Sequence, residues 1–415
     1  MKVTFIVFIF TILGCQSLIL PTGVDSEIRE PASKIDEARY FKSVSQEERM
    51  TIIKNAKTFF IQNHEISKLK IQDFLAEKCG AHYKYEFDTQ TGEYTWPTVS
   101  CHYKPDQDMT GMSAKFKCEF MNAQGELKTH KIKYSKSSIN PKNSEVLEVF
   151  LGSTLAHLMG FASAVYCPVQ LVCKDCPSAD PWGSSRSSAS AQIGSLYKFN
   201  YALVEHKLSG FEVTSHAPNP KPQGLAWEEL KNVSGNAMQE KAELIDREVW
   251  MMFIHFLRHY DADPHNQKIV CSQAVEIEKN NGADKQFSCQ QSYVFTGDYG
   301  LSYPRGHIFI WDEPIAKQNG QLCIGTLNKA WIGGAPGTGL ILGTSFSEEA
   351  RIKFLSLIEQ ITENQWRELY GIAQYGTLTE QTIDNWIETT KRKISKLRKL
   401  KCPYFESGLS SLGKN

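Results

Sequence analysis

Two short polar motifs in the second half of the chain carry residue types and spacings that suit chemistry. Residues 259–266 read HYDADPHN and end a stretch of helical periodicity, and residues 297–300 read GDYG shortly after the apolar Tyr293, Val294 and Phe295. Each motif therefore places acidic or amide side chains at the end of an apolar element. Oxygen-bearing side chains of this kind bind hard cations such as Mg²⁺, and a carboxylate can also accept a proton during a reaction.

The first motif resembles the catalytic loop of protein kinases, His-Arg-Asp-Leu-Lys-Pro-Glu-Asn, and matches it in register at His259, Asp261, Pro264 and Asn266. The second motif resembles the Asp-Phe-Gly metal-binding motif of the same family. This resemblance implies phosphoryl transfer, which depends mainly on positioning and charge neutralisation. Asp261 would accept or orient the proton of the attacking hydroxyl. Asn266 and Asp298 would bind Mg²⁺ (or Mn²⁺) together with ATP or another nucleotide.

The resemblance also implies a lysine on the third strand and a glutamate on the following helix, which together hold the phosphates of the nucleotide. Lys133 ends the sequence HKIK and matches the family's Val-Ala-Ile-Lys lysine; Lys131, on the same strand face, remains an alternative. The helix offers Glu145 and Glu148. We favour Glu148, because it lies further inside the helix and is less readily explained as a favourable charge at the helix N-terminus.

Several features depart from the pattern of regulated protein kinases. No Gly-x-Gly-x-x-Gly loop precedes the lysine strand, where residues 109–113 read only MTGMS, and Tyr260 replaces the arginine of the catalytic loop. The segment between Asn266 and Asp298 is long, and no Ala-Pro-Glu motif follows it. These traits are more similar to the atypical kinase-like families, such as the secreted kinases and the bacterial HipA-type kinases.

The elements that must position these motifs follow from apolar periodicity. The pattern predicts a helix around 49–78, a meander of antiparallel strands, a helix, two more strands and a mostly helical second half from 226 onward that includes a helix over 239–260. The expected strands cover 83–87, 94–103, 114–120, 126–134, 166–172 and 199–208, and the helix between them covers 144–159. This layout resembles that of the protein kinases, which implies an α+β fold with two lobes: a strand-rich N-terminal lobe with one central helix over 49–210 and a mainly helical C-terminal lobe over 211–415.

The N-terminus predicts export. Lys2 is followed by an apolar run over 3–13, which is too short to span a bilayer. The run ends in the sequence ILGC at Cys15, which resembles the lipobox of bacterial lipoproteins. We therefore expect residues 1–15 to be a signal peptide that leads to lipidation of Cys15, residues 16–48 to be a tether, and the protein to be lipid-anchored in the bacterial cell envelope, on a periplasmic or outer-surface face. An ordinary signal peptide with an incidental cysteine is the alternative.

The amino-acid composition narrows the possible classes of binding partner and the expected cysteine chemistry. The 415 residues include 46 basic and 46 acidic ones, and this zero net charge argues against a general nucleic-acid binder. Without Cys15, the 11 cysteines become an even set of ten, which favours disulfide bonds outside the cytoplasm. We expect a disulfide between Cys271 and Cys289. Cys173 and Cys176 have the spacing of half a zinc site or a redox pair, but no second ligand pair matches them, so a structural disulfide is favoured.

Two further segments, one glycine-rich and one basic, could suggest other functions. Residues 333–339 are glycine-rich but lack the Lys-Ser or Lys-Thr of a Walker loop. Residues 391–401 are strongly basic, which favours a solvated helix face over a surface that contacts anionic lipid or lipopolysaccharide.

Together these features predict a lipid-anchored kinase-like phosphotransferase that moves a phosphoryl group from a nucleotide to a hydroxyl on a protein, glycan or small molecule. Because nucleoside triphosphate is scarce outside the cytoplasm, two alternatives stay open. One is a catalytically inactive kinase-like lipoprotein that binds a ligand or partner. The other is a structural lipoprotein of the envelope with an unrelated fold.

Overall fold

The computed structural model describes residues 46–60, 65–80, 83–89, 93–105, 113–121, 125–135, 145–181, 193–208, 210–213, 238–259, 267–277, 286–300, 302, 308–319, 322–326, 345–379 and 381–404. The chain is a mixed α+β protein with several sheets. Cys15, the predicted tether, Asp261, Asn266 and the glycine-rich segment 333–339 lie outside these residues.

The first half is built around a closed five-stranded barrel. Its strands are β3 (Thr98–Lys104), β4 (Lys115–Met121), β5 (Leu127–Tyr134), β7 (Val165–Lys174) and β8 (Leu196–His206), in the order β3-β4-β5-β8-β7. Neighbours are antiparallel except β3 and β7, whose parallel pairing closes the barrel. Before the barrel lie α1 (Gln46–Asn55), a 3₁₀ turn (Ile66–Lys68), α2 (Ile71–Cys79) and the hairpin β1–β2 (Glu86–Asp88 and Glu93–Thr95).

Alternation along the barrel strands separates an aromatic interior from a polar outer face. Phe116, Tyr134 and Phe199 pack inside, with ring centroids 4.9 to 5.5 Å apart. Lys131 and Lys133 lie on the other face of β5, which helix α3 (Glu145–Leu158) helps to cover. Every residue of α3 after Glu145 is buried, so this helix forms the centre of the first half.

The predicted helix over 49–78 is interrupted. Helix α1 ends at Asn55, after which Lys57 bridges Tyr293 and Phe59 bridges Phe161. Arg247, on the helix over Met238–Leu257, donates hydrogen bonds to the Ile53 and Ala56 carbonyl oxygens. These contacts join residues far apart in the chain, so local periodicity does not reveal the break.

The second half combines helices with two sheets and is therefore less helical than predicted. Helix α4 (Met238–Leu257) precedes the hairpin of β10 (Gln267–Ile277) and β11 (Gln286–Thr296), which joins β6 (Ala162–Ser163) and β9 (Phe211–Val213) in the order β6-β11-β10-β9. The hairpin occupies the long segment between the two motifs. A short helix, α5 (Ile308–Trp311), precedes a second sheet of β12 (Ala316–Asn319), β13 (Leu322–Gly325) and β14 (Ser345–Phe346).

The last helices begin at residues that cap them. Helix α6 (Glu348–Ile358) is capped by Ser347, α7 (Glu363–Ile372) by a capping box of Thr362 and Gln365, and α9 (Ile383–Lys399) by Thr382; the short α8 (Tyr375–Leu378) lies between the last two. Such caps satisfy amide groups that a helix N-terminus leaves without partners. None of the helices within the described residues is both long enough and apolar enough to cross a membrane.

All ten cysteines other than Cys15 form disulfides with one another. The predicted bond between Cys271 and Cys289 is present, and Cys173 with Cys176 forms a disulfide. The remaining bonds join Cys79 to Cys167, Cys101 to Cys118 and Cys323 to Cys402.

The basic segment 391–401 lies mostly within α9, and acidic partners surround its exposed side. Lys391 contacts Glu363 at 2.6 Å, Lys396 contacts Asp312 at 2.9 Å, and Arg398 contacts Glu359 at 2.7 Å. These ion pairs are what a solvated helix face requires, and they offset much of the charge that would attract an anionic surface.

Candidate functional site

Lys133 lies at the point where the barrel, helix α3 and the GDYG motif meet. Lys133 is only 1% exposed, although its side chain lies on the outer face of β5. The Lys133 ammonium donates a hydrogen bond to the Asp298 carboxylate, and its Nζ lies 3.9 Å from Glu145 Oε1 at the start of α3. Two residues that the sequence indicated separately, 165 positions apart, are therefore in direct contact.

Asp298 is oriented by the turn that follows β11. The Gly300 amide donates to Asp298 Oδ1 at 2.9 Å, and the Tyr166 hydroxyl donates to the Gly297 carbonyl at 2.8 Å. The backbone on both sides of the carboxylate is thus fixed. With 21% of its side chain exposed, Asp298 remains accessible from outside.

Charge and burial act against each other at this contact. Burial raises the pKa of Asp298, but Lys133, Lys131 and the Gly300 amide outweigh burial, so the pKa lies well below its ordinary value. Burial lowers the pKa of Lys133, but Asp298 and Glu145 outweigh it and raise that pKa. Both groups therefore stay ionised at neutral pH.

The glutamate beside Lys133 is Glu145, not Glu148 as we favoured from the sequence. Helix α3 begins at Glu145, so its first turn lies over the end of β5 and directs this carboxylate to the lysine. Glu148 is completely buried and instead raises the pKa of the buried Tyr375. Burial raises the pKa of Glu145, and Lys133 opposes that effect. The assumption that a charge in the first turn only serves the helix dipole was misleading here.

The alternative lysine, Lys131, has a different main partner. Its ammonium forms an ion pair with Glu205 on the neighbouring strand β8, opposite which it lies in register. Lys131 still lowers the pKa of Asp298 through space. Lys133 is therefore the lysine in direct contact with the motif carboxylate.

Tyr299 anchors the GDYG motif in the core. Its ring packs against Phe253 of α4 and against His259, with centroids 6.0 and 5.6 Å apart. Gly152 of α3 allows this close packing, since a Cβ atom at Gly152 would lie only 2.6 Å from Tyr299 Cβ. Sequence reasoning missed Gly152, because nothing in a helical pattern reveals which turn faces a distant loop.

His259, the first residue of the HYDADPHN motif, lies beside the GDYG motif. It is fully buried, its Nδ1 is 3.2 Å from Ser302 Oγ, and burial lowers its pKa to about 4. The preceding Arg258 has a left-handed backbone, with φ of 55°, and its guanidinium contacts Glu313 at 2.6 Å. The chain thus turns sharply after α4 and enters the motif next to Asp298. Asp261 and Asn266, further along, lie outside the described residues.

A small cavity opens beside the ion pair. It is lined by Ser113, Ala114, Lys133, Tyr134, Glu145 and Val146. A lysine and an adjacent carboxylate therefore face a space at the start of β4, where the sequence lacks a glycine-rich loop.

Comparison with known proteins does not identify a family for this chain. No family model matches the chain, and no curated protein matches it. Among solved structures it is similar to the crystal structure of a Helicobacter pylori proinflammatory kinase, CtkA, with 9% sequence identity, a TM-score of 0.36, and coverage of 73% of this chain and 95% of that chain. A similarity at this level assigns neither a family nor an activity.

Proposed function

We propose that this protein has a kinase-like fold and acts as a lipid-anchored phosphotransferase, which transfers a phosphoryl group from a nucleotide to a hydroxyl. The observation that carries the proposal is the contact of Lys133 with Asp298, next to Glu145. The lysine lies on the third barrel strand, the glutamate on the helix that follows, and the aspartate in the GDYG motif. Phosphoryl transfer in kinases requires these three groups in one place.

The residues present fit a divalent metal ion. Asp298 is an ionised and partly accessible carboxylate, and Asn266 offers an amide oxygen, so both supply the hard oxygen donors that Mg²⁺ or Mn²⁺ prefers. When bound, such an ion would neutralise charge on the phosphates. Lys133 would bind the phosphates, and Glu145 would hold Lys133 in place. Asp261 would orient the acceptor hydroxyl and accept its proton.

The position of His259 supports a role for the remaining motif residues. Because His259 packs against Tyr299, the HYDADPHN motif starts beside the GDYG motif. Asp261 follows His259 by two residues in the sequence.

The experiment is thermal unfolding of the purified full chain with Mg²⁺ or Mn²⁺ and a panel of nucleotides. A ligand that binds only the folded state raises the melting temperature. We expect a metal-dependent rise with at least one nucleotide in the natural protein and none in Asp298→Asn. Asp246→Asn is the matched control, because Asp246 also pairs with a lysine, Lys353, and has a similarly small exposed fraction. Absence of any nucleotide effect in the natural protein would contradict the proposal.

An inactive ligand-binding protein is the second candidate, favoured by Tyr260 in the position of the catalytic-loop arginine. Such a protein would show the same stabilisation by nucleotide. It would transfer no phosphate, to water or to any acceptor. Nucleotide turnover measured on the same samples therefore separates the two functions.

A further inference from the structure

The outer face of the barrel carries two adjacent rows of lysines. In the first row, Lys115 on β4 lies opposite Lys133 on β5. In the second, two residues further along, Lys104, Lys117 and Lys131 lie opposite one another on β3, β4 and β5. Like charges directly opposite each other on neighbouring strands destabilise a sheet. Positive charge is therefore concentrated on this face of the sheet.

The second row is offset mainly by nearby carboxylates of the barrel itself. Lys104 Nζ contacts Glu119 Oε1 at 2.9 Å, and Lys131 pairs with Glu205. Both carboxylates lie on barrel strands next to these lysines. The second row is thus explained as part of the barrel's own surface.

Lys115 belongs to the charge cluster of the candidate site. Burial, Lys133 and Lys131 together lower its pKa to about 8, and Asp298 and Glu145 partly oppose them. The electrostatic neighbours of Lys115 are therefore those of Lys133. Removing the Asp298 charge, as metal binding would do, leaves two close ammonium groups with less negative charge around them.

A small cavity lies beside the two residues that precede Lys115. Ser113 and Ala114, which directly precede it, line the same small cavity as Lys133 and Glu145. In protein kinases a glycine-rich loop covers the phosphates at the start of the sheet. The sequence before β4 has no such loop, and Lys115 places a positive charge at the start of that strand.

We propose that Lys115 is a second phosphate-binding lysine, which contacts the phosphate chain of the nucleotide beside Lys133. The inference rests on the proposed nucleotide site and adds that the β4 and β5 strands supply one lysine each. The ligand class is a nucleoside di- or triphosphate, because its phosphate chain offers several charged groups to which two lysines on neighbouring strands can bind side by side. Charge-assisted hydrogen bonds to phosphate are among the strongest that a side chain can form.

The proposal predicts that one substitution affects binding far more than stability. Lys115→Met removes both the repulsion by Lys133 and Lys131 and the attraction by Asp298 and Glu145, so the ligand-free protein should melt at nearly the same temperature. The same substitution should weaken binding of Mg–ATP and of inorganic tripolyphosphate by at least roughly tenfold. A residue with only a structural role would lower the melting temperature and affect the ligands through it.

The experiment is calorimetric titration of the full chain with Mg–ATP, Mg–tripolyphosphate and AMP. Lys115→Met is compared with Lys115→Arg, which keeps the charge, and with the matched control Lys198→Met, which removes an exposed lysine from barrel strand β8. We expect Lys115→Met to lose affinity for the two polyphosphate ligands, Lys115→Arg to recover part of it, and Lys198→Met to bind like the natural protein. AMP binding should change little in any variant.

The outcomes separate this inference from the proposed function. Binding of Mg–ATP by Lys115→Met within about twofold of the natural protein, while Asp298→Asn loses it, overturns the role of Lys115 alone. Lys115-dependent binding of tripolyphosphate without nucleotide binding supports the lysine pair as a polyphosphate site and overturns the nucleotide function. If the natural protein binds neither ligand, both proposals are wrong.

Discussion

Lys133 and Asp298 form a charge pair in which the lysine is much more deeply buried than the aspartate. The Lys133 side chain is 2% exposed and the Asp298 side chain 21%, so the lysine depends on its partner more than the aspartate does. A buried charge that loses its partner destabilises a protein more than the loss of the pair as a whole. At the residue scale, this asymmetry determines what substitutions should do.

We predict that Asp298→Ala lowers the free energy of unfolding by about 2–4 kcal/mol, because it leaves Lys133 buried without its closest carboxylate. Adding Lys133→Met to that variant should recover a large part of the loss. Urea unfolding of both single variants and of the double variant gives the coupling energy. Additive losses would show that the contact contributes little to stability. The Lys353 and Asp246 pair, in which the lysine is 42% exposed, provides a control cycle with weaker coupling.

Asp261 is assigned only by the motif, so its test is catalytic. If it accepts the proton of the acceptor hydroxyl, Asp261→Asn should reduce phosphate transfer by about a hundredfold or more. Stabilisation by metal and nucleotide should remain, because Asp261 has no part in binding them. Turnover assays and thermal shifts on one preparation measure both quantities. Equal loss of binding and turnover would instead place Asp261 among the metal ligands or in the fold.

At the scale of elements, strand periodicity predicted most of the first half. The barrel strands and helix α3 lie close to the predicted ranges, because alternation and the helical period are local properties. The closure of the barrel by β3 and β7 was not predictable, since it joins strands separated by a helix and about sixty residues. The same reason explains the broken first helix, which ends where Lys57 and Phe59 pair with distant residues.

The candidate site shows the same division. Lys133 and Asp298 came from motifs with a defined neighbourhood in sequence, and the structure places the two side chains in direct contact. The choice between Glu145 and Glu148 depended on where α3 begins relative to β5, which is a tertiary property. Lys115 was missed because only the strand register shows that it lies opposite Lys133.

Helix α3 and the GDYG motif are joined through Gly152, which gives a prediction with an unusual sign. Alanine normally stabilises a helix relative to glycine by about 0.5–1 kcal/mol. Here the added Cβ would lie 2.6 Å from Tyr299 Cβ, so we expect Gly152→Ala to destabilise the protein by about 1–3 kcal/mol. Gly152→Ala should also reduce the stabilisation by nucleotide, because a displaced Tyr299 would move its neighbours Asp298 and Gly300. Chemical unfolding and thermal shifts measure the two effects.

The control for Gly152→Ala is the double variant with Tyr299→Ala. Removing the ring relieves part of the clash, so the added cost of Gly152→Ala should be smaller in that background. An equal cost in both backgrounds would mean that the helix does not pack against Tyr299 as described. Increased stability of the single variant would lead to the same conclusion.

Helix α4 also controls the start of α6 through a titratable contact. Glu248 Oε2 accepts hydrogen bonds from the Ser347 amide at 2.8 Å and its hydroxyl at 2.5 Å. Burial nevertheless raises the pKa of Glu248 from 4.5 to about 7, with Glu349 adding to the effect. The folded state then binds a proton more tightly than the unfolded chain, so stability must fall as pH rises from about 4.5 to about 7.

We predict that Glu248→Gln removes this part of the pH dependence, because glutamine keeps an acceptor without the charge. Between pH 5 and pH 8 the natural protein should lose about 1–3 kcal/mol of unfolding free energy relative to the variant. Urea unfolding at both pH values measures the difference. Asp246, whose pKa burial also raises, contributes equally to both proteins and cancels. Glu243→Gln is the matched control on the same helix, since Glu243 accepts the same pair of bonds from Thr58. An unchanged pH slope in Glu248→Gln would refute the assignment.

At the scale of the whole molecule, disulfides join distant parts of the chain. The bonds of Cys79 with Cys167 and of Cys323 with Cys402 close loops of 88 and 79 residues, and each should contribute about 4 kcal/mol through the unfolded state. Disulfides of this kind persist in oxidising compartments and are rare in the cytoplasm. The proposed export would place the ten cysteines after Cys15 in such a compartment.

The N-terminal cysteine gives the last prediction. Stable membrane binding needs more than one acyl chain, and a diacylated Cys15 would supply two at one residue. We expect the natural protein, expressed in a bacterial host, to incorporate labelled palmitate and to fractionate with membranes. Cys15→Ser should abolish both properties. Its melting temperature should stay the same, because the ten other cysteines pair among themselves and none loses a partner. Absence of label in the natural protein, with cleavage near Cys15 retained, would identify an ordinary signal peptide and leave export as the surviving part of the hypothesis.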